Sequence, residues 1–117
     1  MKHKYQTIMV RPRIYIGDKI SIGPGKIDLL GQINQTQSIA AAARILKMPY
    51  KRAWLLIDSL NQGFGSPVVE TSAGGKGGGS TTLTPLGLAI IERYLALEAR
   101  LNAASSEELD ALCELAK

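Results

Sequence analysis

The stretch SIAAAARILKMPYKRAWLLIDSLN, residues 38–61, constrains this chain more than any other. It spells two short helices joined by a tight turn. The first, residues 38–46, is alanine-rich, and Ser38 stands where a hydroxyl can cap it by accepting a bond from an early backbone N–H. Lys47-Met48-Pro49 supplies the turn. The second helix is expected from Pro49 to about Gln62, because proline has no N–H to leave unpaired at the first helical position and its φ is already helical. Ala40 to Ala43 give the first helix a smooth face. A second helix can then cross it closely at a steep angle, as a helix-turn-helix requires. On the second helix Ala53, Leu56, Ile57 and Leu60 fall at spacings of three and four and should face a core.

Tyr50, Lys51 and Arg52 occupy the first turn of that second helix. In a helix-turn-helix this is the part that reaches base edges. Two cations and a phenol there match phosphates and base-edge acceptors. An ordinary pair of helices with a solvated basic end fits the same residues. Charge distribution favours the first reading. Residues 1–83 hold 11 Lys/Arg against 4 Asp/Glu, a balance of +7, while residues 84–117 hold 3 against 6, a balance of −3. A basic body with an acidic tail is suited to meet a polyanion with the body alone.

The remaining composition removes several functions. The chain has 117 residues, enough for one compact domain. Cys113 is the only cysteine and His3 the only histidine. An internal disulfide, a multi-cysteine metal site, a histidine-based triad and a zinc cluster are all excluded. No catalytic residue, metal site or cofactor is expected. No apolar run approaches the ~20 residues of a membrane span. The opening MKHKYQTIMV lacks the long apolar region of a signal peptide. A cytoplasmic protein that does not enter membranes is expected.

Read in order, residues 1–10 form a flexible basic arm. Ile14, Ile16, Ile20 and Ile22 alternate around Gly17-Asp18, which suggests a short strand or a ribbon turning there. Gly23-Pro24-Gly25 breaks it. Residues 26–36 read as a helix with Ile27, Leu30 and Ile33 on one face. After the second helix of the central motif, residues 63–67 read as a loop. Val68 to Thr71 and Thr81 to Leu83 read as strands flanking the glycine-rich SAGGKGGGS of residues 72–80. A hairpin placed so, just after a helix-turn-helix, makes a wing.

The glycine loop does not satisfy a phosphate-cradle motif. Lys76 is followed by Gly77 where a P-loop needs Ser or Thr, and the next element is a strand rather than a helix. A wing carrying Lys76 to a phosphate backbone, with Gly75 and Gly77 allowing close approach, fits better. A plain flexible surface loop remains the other reading.

Thr84-Pro85 should cap and open the longest helix, running to about Ala103. Leu86, Ile90, Tyr94, Leu97 and Leu101 form one apolar stripe; Leu88, Ile91 and Leu95 form another. A small domain buries one stripe, so Leu88, Ile91 and Leu95 are expected at an interface with a second chain. Ser105 to Glu108 offers a capping box for a last short helix, with Leu109, Leu112 and Cys113 on its apolar side. Cys113 reads as a small buried hydrophobe, since no base partner is at hand.

Tyr50-Lys51-x-Ala53-Trp54, Asn61-Gln62, Val69-Glu70, the run from Gly74 to Gly79, Leu83-Thr84, Gly87 and the Tyr94 region together resemble the N-terminal DNA-binding domain of the ModE molybdenum-dependent transcriptional regulators. A more distant likeness extends to the winged helices of LysR-type regulators. The resemblance covers most of residues 20–100. It implies a mainly α fold with a small β-hairpin wing, a winged helix-turn-helix over residues 11–83 and a long C-terminal dimerisation helix with a short tail helix over residues 84–117. It also implies binding of double-stranded DNA at a palindromic operator by a homodimer, and a link to molybdenum metabolism. Ser38, Tyr50, Lys51, Arg52, Trp54, Gly75, Lys76 and Gly77 would be the DNA-binding residues. Trp54 suits the core and a base-facing position equally. Two departures stand out. Pro49 occupies a position where a capping Ser is expected. The chain also lacks the C-terminal molybdate-binding domains of that family, so direct molybdate binding is not expected. A protein-interaction adaptor that uses the same scaffold without specific DNA binding is the alternative.

Overall fold

Gly17 turns the first hairpin. In the computed structural model, which describes residues 9–73 and 79–116, β1 (Ile14–Ile16) pairs antiparallel with β2 (Ile20–Ile22), Ile14 opposite Ile22. Between them Gly17 has φ +63°, a conformation that costs glycine no Cβ clash. The ribbon expected at Gly17-Asp18 is therefore present. Gly23-Pro24-Gly25, read above as a break before a helix at Lys26, instead starts that helix. Gly23 is the extended N-cap and Pro24 the first residue of α1 (Pro24–Thr36). Proline loses nothing there, since the first helical N–H groups have no intrahelical acceptor. α1 buries Ile27, Leu30 and Ile33, as expected, and Leu29 beside them.

α2 (Ile39–Ile45) begins at Ser38, whose Oγ accepts from the Ala41 N–H at 3.0 Å. Ala42 and Ala43 are buried and let α3 (Tyr50–Phe64) approach. Two details differ from expectation. Pro49 is the N-cap and not the first helical residue, because its ψ of 145° is extended although its φ of −63° is helical. Its carbonyl still accepts from the Arg52 and Ala53 N–H groups. At the other end α3 runs through Gly63 and Phe64, which had been assigned to a loop. It stops at Gly65, where φ is +73° and the N–H returns to the Asn61 carbonyl.

β3 (Val69–Ser72) and β4 (Ser80–Leu83) form a second antiparallel hairpin, Val69 opposite Leu83 and Ser72 opposite Ser80. Asn61 Oδ1 accepts from the Val68 N–H at 2.8 Å, and the Thr81 N–H donates to the Gln37 carbonyl at 2.9 Å. The base of this hairpin is thereby fixed to the end of α3 on one side and to the α1–α2 turn on the other.

α4 (Pro85–Ala104) opens as expected. Thr84 Oγ1 accepts from the Gly87 N–H at 3.1 Å and donates to the Pro67 carbonyl at 2.8 Å. Only its first half enters the core, through Gly87, Ile90 and Tyr94. Leu97 and Leu101, assigned above to the buried stripe, are exposed instead, at 37% and 36%. Ile45, at the end of α2, is 53% exposed, while Ile39 at its start is buried. α5 (Ser106–Leu115) follows without a capping box, because Ser105 Oγ donates to the Leu101 carbonyl at 2.6 Å rather than receiving an N–H. No side chain of α5 is buried, and Cys113 is half-exposed rather than the buried hydrophobe expected.

Among the described residues the chain is thus mainly helical, with five helices and two small antiparallel hairpins. One core holds it together, centred on Leu29, Leu30, Ile33, Ile57, Leu60 and Val68. The radius of gyration is 16.8 Å, against about 13–14 Å for a compact chain of this length. The excess comes from the far half of α4 and from α5, which extend past the core.

The end of the expected arm is not loose. The Val10 N–H donates to Asn102 Oδ1 at 2.8 Å and Asn102 Nδ2 returns to the Val10 carbonyl at 2.9 Å. Arg11 grips Asp28 through both terminal nitrogens, at 2.7 and 3.2 Å, and Glu98 through Nε at 3.2 Å. These carboxylates hold the Arg11 guanidinium protonated beyond its ordinary range, chiefly through the bond to Asp28. Tyr94 Oη donates to the Pro12 carbonyl at 2.7 Å. Residues 10–12 therefore form a strap that joins α1 to α4; residues 1–8 lie outside the described residues.

Candidate nucleic-acid interface

The buried side of α3, Ala53, Ile57 and Leu60, fixes which side of the helix faces out. Lys51 and Arg52 are exposed at its N-terminal turn, and Tyr50 is 53% exposed beside them. Trp54 is half-buried at the margin of the core and meets the Tyr50 ring edge-on, with centroids 6.4 Å apart and planes at 81°. Of the two roles open to Trp54 in the sequence, its packing shows the core one in part. It packs inward and props the exposed phenol of Tyr50. Edge-to-face pairs of this kind contribute roughly 0.5–1.5 kcal/mol beyond their burial.

Two further cations belong to the same surface and were missed. Arg44 ends α2 and Lys47 stands in the turn with φ +57°; both are exposed. With Lys51 and Arg52 they place four cations in residues 44–52. None of the four forms an ion pair among the described residues. The signal was available in the sequence, since no Asp or Glu occurs anywhere from residue 29 to residue 57. Two other basic residues are engaged elsewhere. Arg11 is held in the strap, and Lys26 Nζ donates to the Ser21 carbonyl at 2.6 Å and to Ser59 Oγ at 3.1 Å. Burial, helped by the charge of Arg13, lowers the Lys26 pKa below its ordinary value. Arg44, Lys47, Lys51 and Arg52 thus gather four exposed cations on α2, the turn and the start of α3, while Arg13, Lys19, Arg93 and Arg100 are exposed elsewhere on the described surface.

Ser38 is committed to capping α2. The bond from Thr81 to Gln37 places β4 next to that cap, so the second hairpin and the α2–α3 pair share an edge. Gly75, Lys76 and Gly77 lie outside the described residues. The strands leading to them are aligned by Ser72 Oγ and Ser80 Oγ, 2.9 Å apart. On α4, Leu88 and Leu95 are exposed, whereas Ile91 is half-buried against the core margin. A surface of unpaired cations around a helix N-terminus can neutralise phosphates. The planar Arg52 fork and the Tyr50 hydroxyl can add directional hydrogen bonds. Among the described residues no cluster of three His, Cys, Asp or Glu could hold a metal. No described helix is long and apolar enough to cross a membrane.

No family model matches the chain. It is similar to several curated proteins, three of which follow. It is 42% identical over 78 residues to the molybdenum-pterin-binding protein MopB of Rhodobacter capsulatus, covering 67% of this chain and 29% of that protein. It is 40% identical over 89 residues to the molybdenum transport protein ModE of Azotobacter vinelandii, 76% of this chain and 32% of that one. It is 38% identical over 76 residues to the DNA-binding transcriptional dual regulator ModE of Escherichia coli, 65% and 29% respectively. The match thus spans about a third or less of each relative's length. The expectation that this chain leaves molybdate alone finds no support in a relative named for molybdenum-pterin binding.

Proposed function

We propose that the chain is a winged helix-turn-helix that binds double-stranded DNA as a transcription regulator, with α3 as its recognition helix and the β3–β4 hairpin as its wing. The observation that carries this reading is the exposed Tyr50-Lys51-Arg52 turn of α3, flanked by Arg44 and Lys47 and free of acidic neighbours. The similarity to a protein named as a DNA-binding transcriptional dual regulator supports it. The N-terminal turn of α3 enters the major groove, and Lys76 approaches the backbone. Ser38 holds α2 in register below. The regulator works as a homodimer on a palindromic operator, with α4 contributing to the dimer contact. It carries out no catalysis and acts in the cytoplasm.

Fluorescence anisotropy with labelled duplexes at several salt concentrations tests this. Phosphate neutralisation lowers log affinity linearly with log salt, with a slope of about −0.9 per phosphate contacted. A flat salt dependence would favour the adaptor role instead. Selection of bound fragments from genomic DNA would then define the operator.

The link to molybdenum rests on the names of the relatives. Calorimetry of this chain with molybdate and with tungstate separates direct sensing from a link made elsewhere in the regulatory system. Saturable micromolar binding would place the oxyanion on this chain.

A further inference from the structure

The outer side of α3 carries a large apolar residue among polar ones. Ala53, Ile57 and Leu60 face the core, and Lys51, Leu55, Asp58, Ser59 and Gln62 follow one another along the opposite side at helical spacing. Leu55 is 55% exposed among the described residues, and its neighbours one turn away on either side, Lys51, Asp58 and Ser59, are exposed as well. Single exposed leucines are common and carry no message by themselves. The placement of this one does. It lies one turn from Lys51 and Arg52, the exposed cations that open the helix. It also lines a shallow concavity between α3 and the turn of the first hairpin, beside Lys19, Asp58 and Ser59, and is the only large apolar side chain there among the described residues. The concavity is held in shape. Lys26 Nζ donates to the Ser21 carbonyl of β2 and to Ser59 Oγ of α3. A Cβ on Gly63 would stand 2.8 Å from Ile20 Cγ1, so β2 rests directly on the helix.

The chemistry of this surface favours one kind of occupant. A protein partner is held by a contiguous apolar patch with charge kept to the rim. Here one leucine is set among cations and hydrogen-bonding groups. The major groove of duplex DNA asks for that arrangement. Cations meet phosphates at its margins, and the thymine C5-methyl is the apolar feature that its base edges present. The charge agrees, since no Asp or Glu occurs from residue 29 to residue 57. Position fixes the reach. Residue 55 lies about 6 Å along the helix from residue 51, and base pairs stack about 3.4 Å apart.

We propose that Leu55 reads the C5-methyl of a thymine in the major groove, within about two base pairs of the contact made by Lys51. It thereby selects thymine over pyrimidines that lack the methyl group. The inference rests on the DNA-binding reading above and assigns one base preference to it; it does not depend on oligomeric state.

Deoxyuridine tests it, because it removes the methyl and keeps the pairing edge of thymine. The full chain is titrated by fluorescence anisotropy at one salt concentration with a duplex selected from genomic DNA. The same duplex is then made with each thymine replaced in turn. For the parent chain, replacement at the thymine that Leu55 contacts should weaken binding about fourfold, the worth of one buried methyl group. For Leu55→Ala that replacement should have no effect, while the other replacements act as they do on the parent. Circular dichroism and melting point should be kept, since Leu55 lies outside the core. Salt-dependent duplex binding with the same thymine-to-uracil ratio at every position in parent and Leu55→Ala overturns the methyl contact and leaves DNA binding standing. Absence of salt-dependent duplex binding overturns both.

Discussion

The α-carbon of Gly87 lies so close to Val68 that a Cβ there would overlap the Val68 carbonyl oxygen. The same carbonyl accepts from the Thr84 N–H at 3.0 Å, and Thr84 caps α4 through the Gly87 N–H. One backbone oxygen thus fixes the distance between the second hairpin and the start of α4. Gly87→Ala should destabilise the fold by about 1–3 kcal/mol, the usual cost of overpacking, although alanine is the better helix former. Gly31→Ala is the contrasting substitution. It sits inside α1 with nothing within 4 Å of the added Cβ. It should stabilise by about 0.5–1 kcal/mol. Thermal melts of the two variants check the pair. A Gly87→Ala melting point at or above the parent's would show that the junction can widen.

Tyr94 makes stability depend on alkaline pH. Burial pushes its phenol above the ordinary value of 10.0, and the Glu98 carboxylate adds to the shift while Arg11 opposes it. The folded chain therefore holds this proton more tightly than the unfolded chain does. Its contribution is complete below the unfolded pKa and is lost as pH rises through the folded one. Lys26 has the opposite sign. Its lowered pKa means that stability rises with pH as the ammonium deprotonates. Tyr94→Phe isolates the first effect. At neutral pH it should cost about 0.5–1.5 kcal/mol for the lost bond to the Pro12 carbonyl. Above about pH 10 the difference between variant and parent should shrink. Denaturant titrations at pH 7, 9 and 10.5 measure it, and a constant difference across that series would contradict the assignment.

The four cations of residues 44–52 should divide by role. Lys51→Ala and Arg52→Ala remove side chains from the turn that enters the groove. If either contacts a base in bidentate fashion, its loss costs about 1–3 kcal/mol and relaxes one operator position. Arg44→Ala and Lys47→Ala should weaken all sequences alike and reduce the salt slope by about one unit each. Lys76→Ala is expected to behave like the second pair. Unchanged affinity in both the Lys51 and the Arg52 variants would remove α3 from the groove.

Local chemistry was legible in the sequence, and long-range pairing was not. Ser38 and Thr84 cap where a hydroxyl precedes a helical run, and Gly17 turns where a positive φ is needed. Those features depend on a few neighbouring residues. Ser105 had the same local signature, yet its hydroxyl found the Leu101 carbonyl of the preceding helix first. Pro49 satisfied φ for a helix but not ψ, which its ring does not fix. The strap from Val10 to Asn102 joins residues 92 positions apart, and no spacing rule reaches that far. Ile45, Leu97 and Leu101 have helical periodicity, but periodicity says which residues share a face and not which face is covered. At the interface Tyr50, Lys51 and Arg52 were visible as a motif. Arg44 and Lys47 were overlooked because the motif was read from α3 alone.

The position of Ile91 changes what its substitution can test. The stripe of Leu88, Ile91 and Leu95 was expected to lie wholly at a dimer contact. Leu88 and Leu95 are each 46% exposed, but Ile91 is half-buried and packed against the core. Ile91→Glu would put a carboxylate beside Ile27 and Leu46, with which Ile91 lines a cleft between α1 and α4. It should lower stability by about 1–3 kcal/mol whether or not a partner is present. Leu95→Glu and Leu97→Glu are cleaner probes, because both side chains are already partly in water and lie on different sides of α4. If the dimer contact uses the Leu97 side of α4, Leu97→Glu should yield monomer and weaken operator binding, with helical circular dichroism and melting point largely kept. Leu95→Glu should then remain dimeric. Sedimentation of both variants at tens of micromolar gives the answer. Dissociation by Leu95→Glu with Leu97→Glu still dimeric would return the contact to the stripe of Leu88 and Leu95.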